Sequence, residues 1–307
     1  MAMKPRTAII IAACAAAAVV LALWKPTVLI NGIREAGLYA SIAIPMGLVL
    51  GIVHIVNLAH GEFMMLAAYF GYLGFTYLGV DPLLSIVPTA AVTAAFGFVI
   101  YKMTIRRSLQ APELNQLILT FGLGITLSQA VNLIFTSQTR KLSLEYSSAS
   151  MTIGELSFGI WPFVFMLAAG AMAIGLRLYL TKTVSGKAAL AVGQNPRGAA
   201  IVGIDVDRVY GSVFAMASAL IGGVGALFLT KASIFPGVGS PFTMKSFCLI
   251  AMAGVGNIPG ILAASVLLGI SEQMMRAFRG LRGWADIIFF VLIIAVILGR
   301  TVKGRKG

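Results

Sequence analysis

The sequence predicts an all-α fold: a polytopic transmembrane helical bundle of about eight to ten helices, with a broken late helix and a short helical segment outside the membrane. Three observations carry this reading. Mean hydropathy over the 307 residues is +0.96, with 59% of residues apolar and 11% charged. Uncharged runs close to the ~20 residues that a spanning helix needs recur along the whole chain. These runs are apolar all round, without the alternation of a barrel strand, and only helices and closed barrels satisfy their backbone hydrogen bonds in lipid.

In order, the runs are 8–24, 36–61, 63–80, 83–101, 114–139, 156–176, 209–230, 246–271 and 287–299. The first follows Lys4 and Arg6 as a signal peptide would. It lacks a small-x-small cleavage site before Trp24 and reads as a retained span. The second carries Pro45 among Gly37, Gly47 and Gly51, and the eighth is interrupted by Gly254, Gly256, Asn257, Pro259 and Gly260. Such breaks are tolerated where neighbouring protein or a cavity takes up the freed backbone groups. Equally, glycines let helices pack closely. No polar stretch is long enough for a separate core, so 1–307 reads as one transmembrane domain.

The formal net charge of +13 does not point to nucleic acid. Basic residues between spans follow the positive-inside rule, and anionic lipid headgroups account for them. Lys4 and Arg6, the 102–107 turn, the 181–208 loop and the 300–306 tail are expected on the cytoplasmic side, with both termini inside. That alternation requires 244–275 to cross twice and leaves Arg276, Arg279 and Arg282 outside. Cys14 and Cys248 lie in apolar runs and form no disulfide or metal framework.

Two constellations stand out. Asn57-Leu58-Ala59-His60-Gly61-Glu62, with His54 upstream, holds both histidines of the chain and an acid in an apolar region. Ionisable groups at membrane depth are costly, hence a functional hypothesis by default. At helical spacing His54, Asn57 and His60 would share a face. The residues suit first a polar cluster that satisfies backbone groups at a helix break, then a pathway lining or proton relay. A metal site comes last, because it lacks ligands.

The second constellation is the 181–208 loop. Ser185 is expected to cap a helix from Gly186 to Val192, ended by Gly193. Asn195-Pro196 reads as an N-cap followed by proline at the first helical position, with Gly203 as the stop. Asp205 or Asp207 would cap the next span. A capped helix with an apolar side outside the membrane lies on lipid or docks on a protein. There is no phosphate loop, since Gly186-Lys187 is followed by Ala188, and neither a G-x-S-x-G nor an H-E-x-x-H motif occurs. The chain is therefore not expected to be an enzyme or to hold a cofactor or metal.

Three segments resemble one family in order: 51–63 (GIVHIVNLAHGEF), 186–208 (GKAALAVGQNPRGAAIVGIDVDR) and 253–260 (AGVGNIPG). They are similar to the N-terminal signature, the ATPase-coupling loop and the late glycine-proline break of branched-chain amino-acid (leucine/isoleucine/valine) ABC transporter permeases. Among these the chain most resembles the H-type subunit. The resemblance implies a bacterial inner-membrane importer. This permease would pair with a second, M-type permease. Two cytosolic ABC ATPases would bind ATP and Mg, and an extracytoplasmic solute-binding protein would deliver the amino acid. It implies coupling roles for Gly186, Gln194, Asn195, Pro196, Arg197, Gly203 and Asp205. It places Asn57, His60 and Glu62 in the family motif, while His54 and Leu190 depart from the usual pattern. Relatives that carry urea or short amides are an alternative. A stand-alone proton-coupled transporter or channel using His54, His60 and Glu62 is an alternative of another class.

Overall fold

The computed structural model describes residues 26–294 other than 149, 154, 155 and 160. The 8–24 run with Lys4, Arg6 and Cys14, the end of the 287–299 run and the 300–306 tail lie outside the described residues. The helices are α1 (Pro26–Ile52), α2 (His60–Leu78), α3 (Ile86–Ser108), α4 (Glu113–Phe135), α5 (Trp161–Lys182), α6 (Val184–Gln194), α7 (Pro196–Ile201), α8 (Val206–Lys231), α9 (Ser240–Ala253) and α10 (Ile258–Ala277). Six of them (α1, α3, α4, α5, α8 and α10) are long and apolar enough to cross a membrane. The fold is a polytopic helical bundle.

α1 and α8 are the buried axes, whereas α3, α4 and α5 are mostly exposed. α1 packs against α5, α8, α9 and α10, and α8 packs against α2 and α3. Small residues let these backbones meet. On the α3–α8 seam Gly97 faces Ser218 and Gly222 faces Thr93. Gly225 of α8 sits on the Met64 carbonyl of α2, and Gly269 of α10 sits on the Gly32 carbonyl of α1. In lipid, helix association rests on such close packing because tails are as apolar as the side chains.

Contacts between elements give the two ends of the bundle. Gly193 in α6 lies against Gly51 and Ile52, so α1 ends where the 181–208 segment sits. Tyr101 and Arg106 meet Asp207, so α3 ends there too. At the far end, residues 136–148 close over the bundle. Arg140 bridges to Ile234 and donates to the Phe135 carbonyl at 2.9 Å. The Tyr146 hydroxyl donates to both carboxylate oxygens of Asp81, at 2.8 and 2.9 Å. Burial and this bond hold the Tyr146 phenol protonated well above its usual range.

The structure corrects four boundaries. The run 36–61 is not one helix: α1 stops at Ile52, and residues 54–57 form no regular element, with His54 at a left-handed φ of 58°. The 102–107 stretch is no turn. The helix continues through a π turn at Tyr101–Ile105 to Ser108, held by Tyr101 and Arg106 on Asp207. The first part of the run 156–176 is a strand: β1 (Ser150–Ile153) and β2 (Leu156–Gly159) form an antiparallel hairpin pairing Ile153 with Leu156. The alternation S-M-T-I and L-S-F-G around Gly154-Glu155 is a hairpin signal that apolar content hides. Finally, α6 is capped by Thr183, not Ser185, and runs past Gly193 to Gln194. Thr183 sits two residues earlier, with its hydroxyl accepting from the Gly186 N–H at 2.9 Å.

The packing at Gly225 yields a test. A methyl there meets Met64 and Ala68 backbone atoms, which cannot swing away, so Gly225→Ala should cost about 1–3 kcal/mol. Gly74 has open space, and Gly74→Ala should leave the melting temperature unchanged or raise it. Thermal unfolding of both variants in detergent compares them.

Candidate functional site

Two helices begin partway along the bundle rather than at its ends. α2 starts at His60, and His60 Nε2 lies 2.9 Å from the carbonyl of Ile42, well inside α1. A carbonyl only accepts, so Nε2 carries the proton. Pro45 has no N–H and frees the Ser41 carbonyl next to this point, so α1 is already irregular where the imidazole lands. α9 starts at Ser240 directly against α2: the Gly61 N–H donates to Thr243 Oγ1 at 2.8 Å, and Gly61 and Gly239 touch through backbone. At 14 residues α9 is about 21 Å long, short of a bilayer core, so it is a half-helix.

The chain reaches the start of α2 through residues 53–59. Thr120 Oγ1 of α4 donates to the Val56 carbonyl at 3.1 Å. Asn57 Oδ1 accepts from the Ala59 N–H at 3.1 Å. Asn57 and His60 thus satisfy backbone groups at the break. His54 does not join them. It is exposed with φ 58° and lines a separate cavity of about 260 Å³ with Glu113 and Gln116. The shared face expected from helical spacing is absent because the helix ends before His54. Glu62 is 3% exposed, and its Oε2 has no hydrogen-bond partner.

The late break is a capped turn. Gly254 and Gly256 take φ values of 93° and 76°, open to glycine at little cost. Asn257 serves both helices: its Nδ2 donates to the last carbonyl of α9, Ala253, at 3.1 Å. Its Oδ1 accepts from the Gly260 N–H of α10 at 3.1 Å. Pro259 occupies the first turn of α10. The turn sits beside Gly51, near the 181–208 end. α9 and α10 are therefore antiparallel, and Arg276 lies at the far end.

The 181–208 segment folds as its capping residues predict from Asn195 onward. Asn195 Oδ1 accepts from the Gly198 N–H at 2.9 Å. Gly203, with φ 87°, and Ile204 return N–H bonds to Ala200 and Ala199, each at 3.0 Å, closing a Schellman motif. Asp205 caps α8 through the Arg208 N–H at 3.0 Å. Asp207 instead receives the Tyr101 hydroxyl at 2.9 Å and pairs with Arg106 at 2.8 Å. α6 buries Gly186, Ala189 and Val192. Gln194, Asn195, Pro196, Arg197, Ile201, Val202, Gly203 and Asp205 are exposed.

The sequence reading missed a buried charge network. Lys245 of α9 meets Glu272 of α10 at 3.1 Å, and Glu272 is fully buried. Tyr39 of α1 donates to Glu272 at 2.5 Å, and Lys245 donates to the Tyr39 hydroxyl at 3.1 Å. Arg276 adds a bond to Glu272 and reaches Asp286 at 3.2 Å. Lys245 and Glu272 flank the run 246–271, one at each side of the apolar stretch. Only the fold-back at 254–257 brings them together. Among the described residues no group of three or more histidine, cysteine or acidic side chains is placed to hold a metal ion.

Comparison with known proteins gives the family context. The family described as "Branched-chain amino acid transport system / permease component" matches residues 28–297. The chain is 29% identical over 290 residues to the high-affinity branched-chain amino acid transport system permease protein BraD of Pseudomonas aeruginosa, covering 89% of this chain and 92% of that one. It is 28% identical over 290 residues to the corresponding permease protein LivH of Escherichia coli K12, covering 87% and 91%. It is 23% identical over 254 residues to the fructose import permease protein FrcC of Rhizobium meliloti, covering 79% and 69%.

The charge network makes a sharp prediction. Glu272→Leu strands Lys245 without its buried partner and should destabilise the protein by about 3–5 kcal/mol. Asp207→Asn breaks a half-exposed pair and should cost about 0–1 kcal/mol from that ion pair. Denaturation of both variants in mild detergent measures the difference.

Proposed function

The chain belongs to the family of branched-chain amino acid transport permease components, and from that premise we propose its place in an assembly. It is the membrane subunit of an ABC importer. With a second, M-type permease it forms the translocation pathway for leucine, isoleucine and valine. Two cytosolic ATPases, binding ATP and Mg, drive the cycle, and an extracytoplasmic binding protein delivers the amino acid. The protein sits in a bacterial inner membrane with the 181–208 segment and both termini on the cytoplasmic face, and its 1–307 chain acts as one permease domain.

One observation carries this reading: α6 and α7 form a compact, fully capped unit that is seated on the bundle and exposed outward. Gly186 packs on Tyr179 and Leu180 at the end of α5, and Gly193 packs on the end of α1. The outer side presents Arg197 beside Ile201 and Val202, which are 86% and 76% exposed. Apolar side chains that exposed, held on a capped helix beside an exposed cation, suit docking into a protein groove. Gly186, Gln194, Asn195, Pro196, Gly203 and Asp205 shape the unit. Force on α7 would reach α1 and the 254–260 turn through the Gly51–Gly193 and Gly51–Gly256 contacts. The turn residues Gly254, Gly256, Asn257, Pro259 and Gly260 would then act as the joint between α9 and α10.

The proton-coupled alternative draws less support. His60 is spent on a backbone carbonyl and His54 is in another cavity, so the three titratable groups form no chain. His60→Asn should leave uptake unchanged in its pH dependence, measured between pH 5 and 8.

Ile201→Asp and Arg197→Glu should each lower ATP-driven leucine uptake by about tenfold or more, equal to about 1.4 kcal/mol of lost coupling. The measurement is uptake into proteoliposomes holding the assembly that co-purifies with the tagged chain. Leucine flux from the chain alone, without ATPases or ATP, would refute the subunit reading.

A further inference from the structure

The residue of the Asn57–Glu62 motif left without a structural task is Glu62. Asn57 and His60 serve backbone groups, whereas Glu62 Oε2 is buried and unpartnered. Among the described residues no salt bridge engages Glu62. Leaving an ionised carboxylate so placed is costly unless it takes up a proton or a partner supplies its counter-charge.

Glu62 also lines a cavity of about 150 Å³ where α2, α4 and α9 meet. The walls divide by chemistry. Ser128, Gln129 and Ser240 bring hydroxyl and amide donors, while Phe121 and Ile125 bring apolar surface. The cavity opens along the exposed face of α4, where Phe121, Ile125 and Gln129 are accessible. It lies where α2 and α9 both begin inside the bundle, and helix N-termini favour negative charge nearby.

We propose that this cavity is an amino-acid subsite of the translocation pathway, in which Glu62 takes the α-ammonium group of the substrate. The three parts of an aliphatic amino acid then find matching walls. The ammonium supplies the hydrogen-bond donors and the positive charge that Oε2 lacks. The carboxylate meets the donors of Ser128, Gln129 and Ser240. The branched side chain lies on Phe121 and Ile125. The inference rests on the importer reading for its substrate class. It adds what that reading leaves open, namely which group in this chain selects a zwitterion over a neutral small solute or an organic acid.

The test uses the full-length chain in the assembly with which it purifies. A hydrophobic carbodiimide modifies carboxyl groups in apolar surroundings, and peptide mapping by mass spectrometry reads Glu62 specifically. Leucine should slow Glu62 labelling by at least about tenfold, because a hydrogen bond to a charged group closes the carboxylate off. The deaminated analogue 4-methylpentanoate should not protect. Equal protection by both, or protection by sodium ion in place of leucine, would overturn the assignment. In transport, Glu62→Gln should raise the KM for leucine by at least about tenfold in an assembly that still co-purifies intact, for the same reason. A KM equal to wild type would overturn the proposal. The two readings fail separately. ATP-driven leucine uptake without Glu62 protection removes the subsite and leaves the importer standing. Leucine protection without ATP-driven uptake keeps the subsite and removes the importer.

Discussion

Inside a lipid bilayer a backbone group that leaves helical pairing has no water to turn to, and this constraint organises the whole molecule. Where α2 and α9 begin inside the bundle, side chains from neighbouring helices take up freed backbone groups. His60 reaches back to Ile42 of α1, Thr120 of α4 holds the Val56 carbonyl, and Thr243 of α9 takes the Gly61 N–H. These bonds join α1, α2, α4 and α9 around one place. The polar residues there are therefore parts of the fold as well as candidates for chemistry. Glu62 is distinguished because it closes nothing.

The second organising feature is electrostatic. Glu272 accepts from Tyr39, Lys245 and Arg276 and so ties α1, α9 and α10 together. A buried ion pair adds little net stability over apolar packing, but losing one member is expensive. What the network supplies is register. It fixes how far α9, the half-helix, sits along α10. The small-residue contact of Gly269 with Gly32 fixes the same α10 against α1. Lys245 and Glu272 thereby set the depth at which α9 meets α2.

The end carrying α6 and α7 is joined to this centre by direct packing. Gly193 touches the end of α1, and the same stretch of α1 touches the α9–α10 turn at Gly256. A displacement of α6 is felt first by α1 and the turn, and both lead to the broken-helix junction. In an importer driven from the cytosol, that is where a mechanical input has to arrive.

The sequence alone determined the class of fold, because uninterrupted apolar composition leaves a chain no solution but spanning helices. It also determined the local punctuation. Asn195-Pro196, Gly203 and Asp205 cap what they were expected to cap, since capping depends on residues within one turn. Apart from the α6 cap at Thr183 and the 150–159 hairpin, what it misjudged were features set by distant partners. The end of α1 at Ile52 lies hidden in an apolar run because Val53, Ile55 and Val56 continue the apolar character of the helix before them. The pairing of Lys245 with Glu272 depends on a fold-back that places residues 27 positions apart side by side. The separation of His54 from His60 follows from the same helix end. Only the tertiary structure decided which polar residues of the motif are spent on backbone groups and which one is left free. The bonds made by His60, Thr120 and Thr243 join different elements, and periodicity along a single chain carries no information about them.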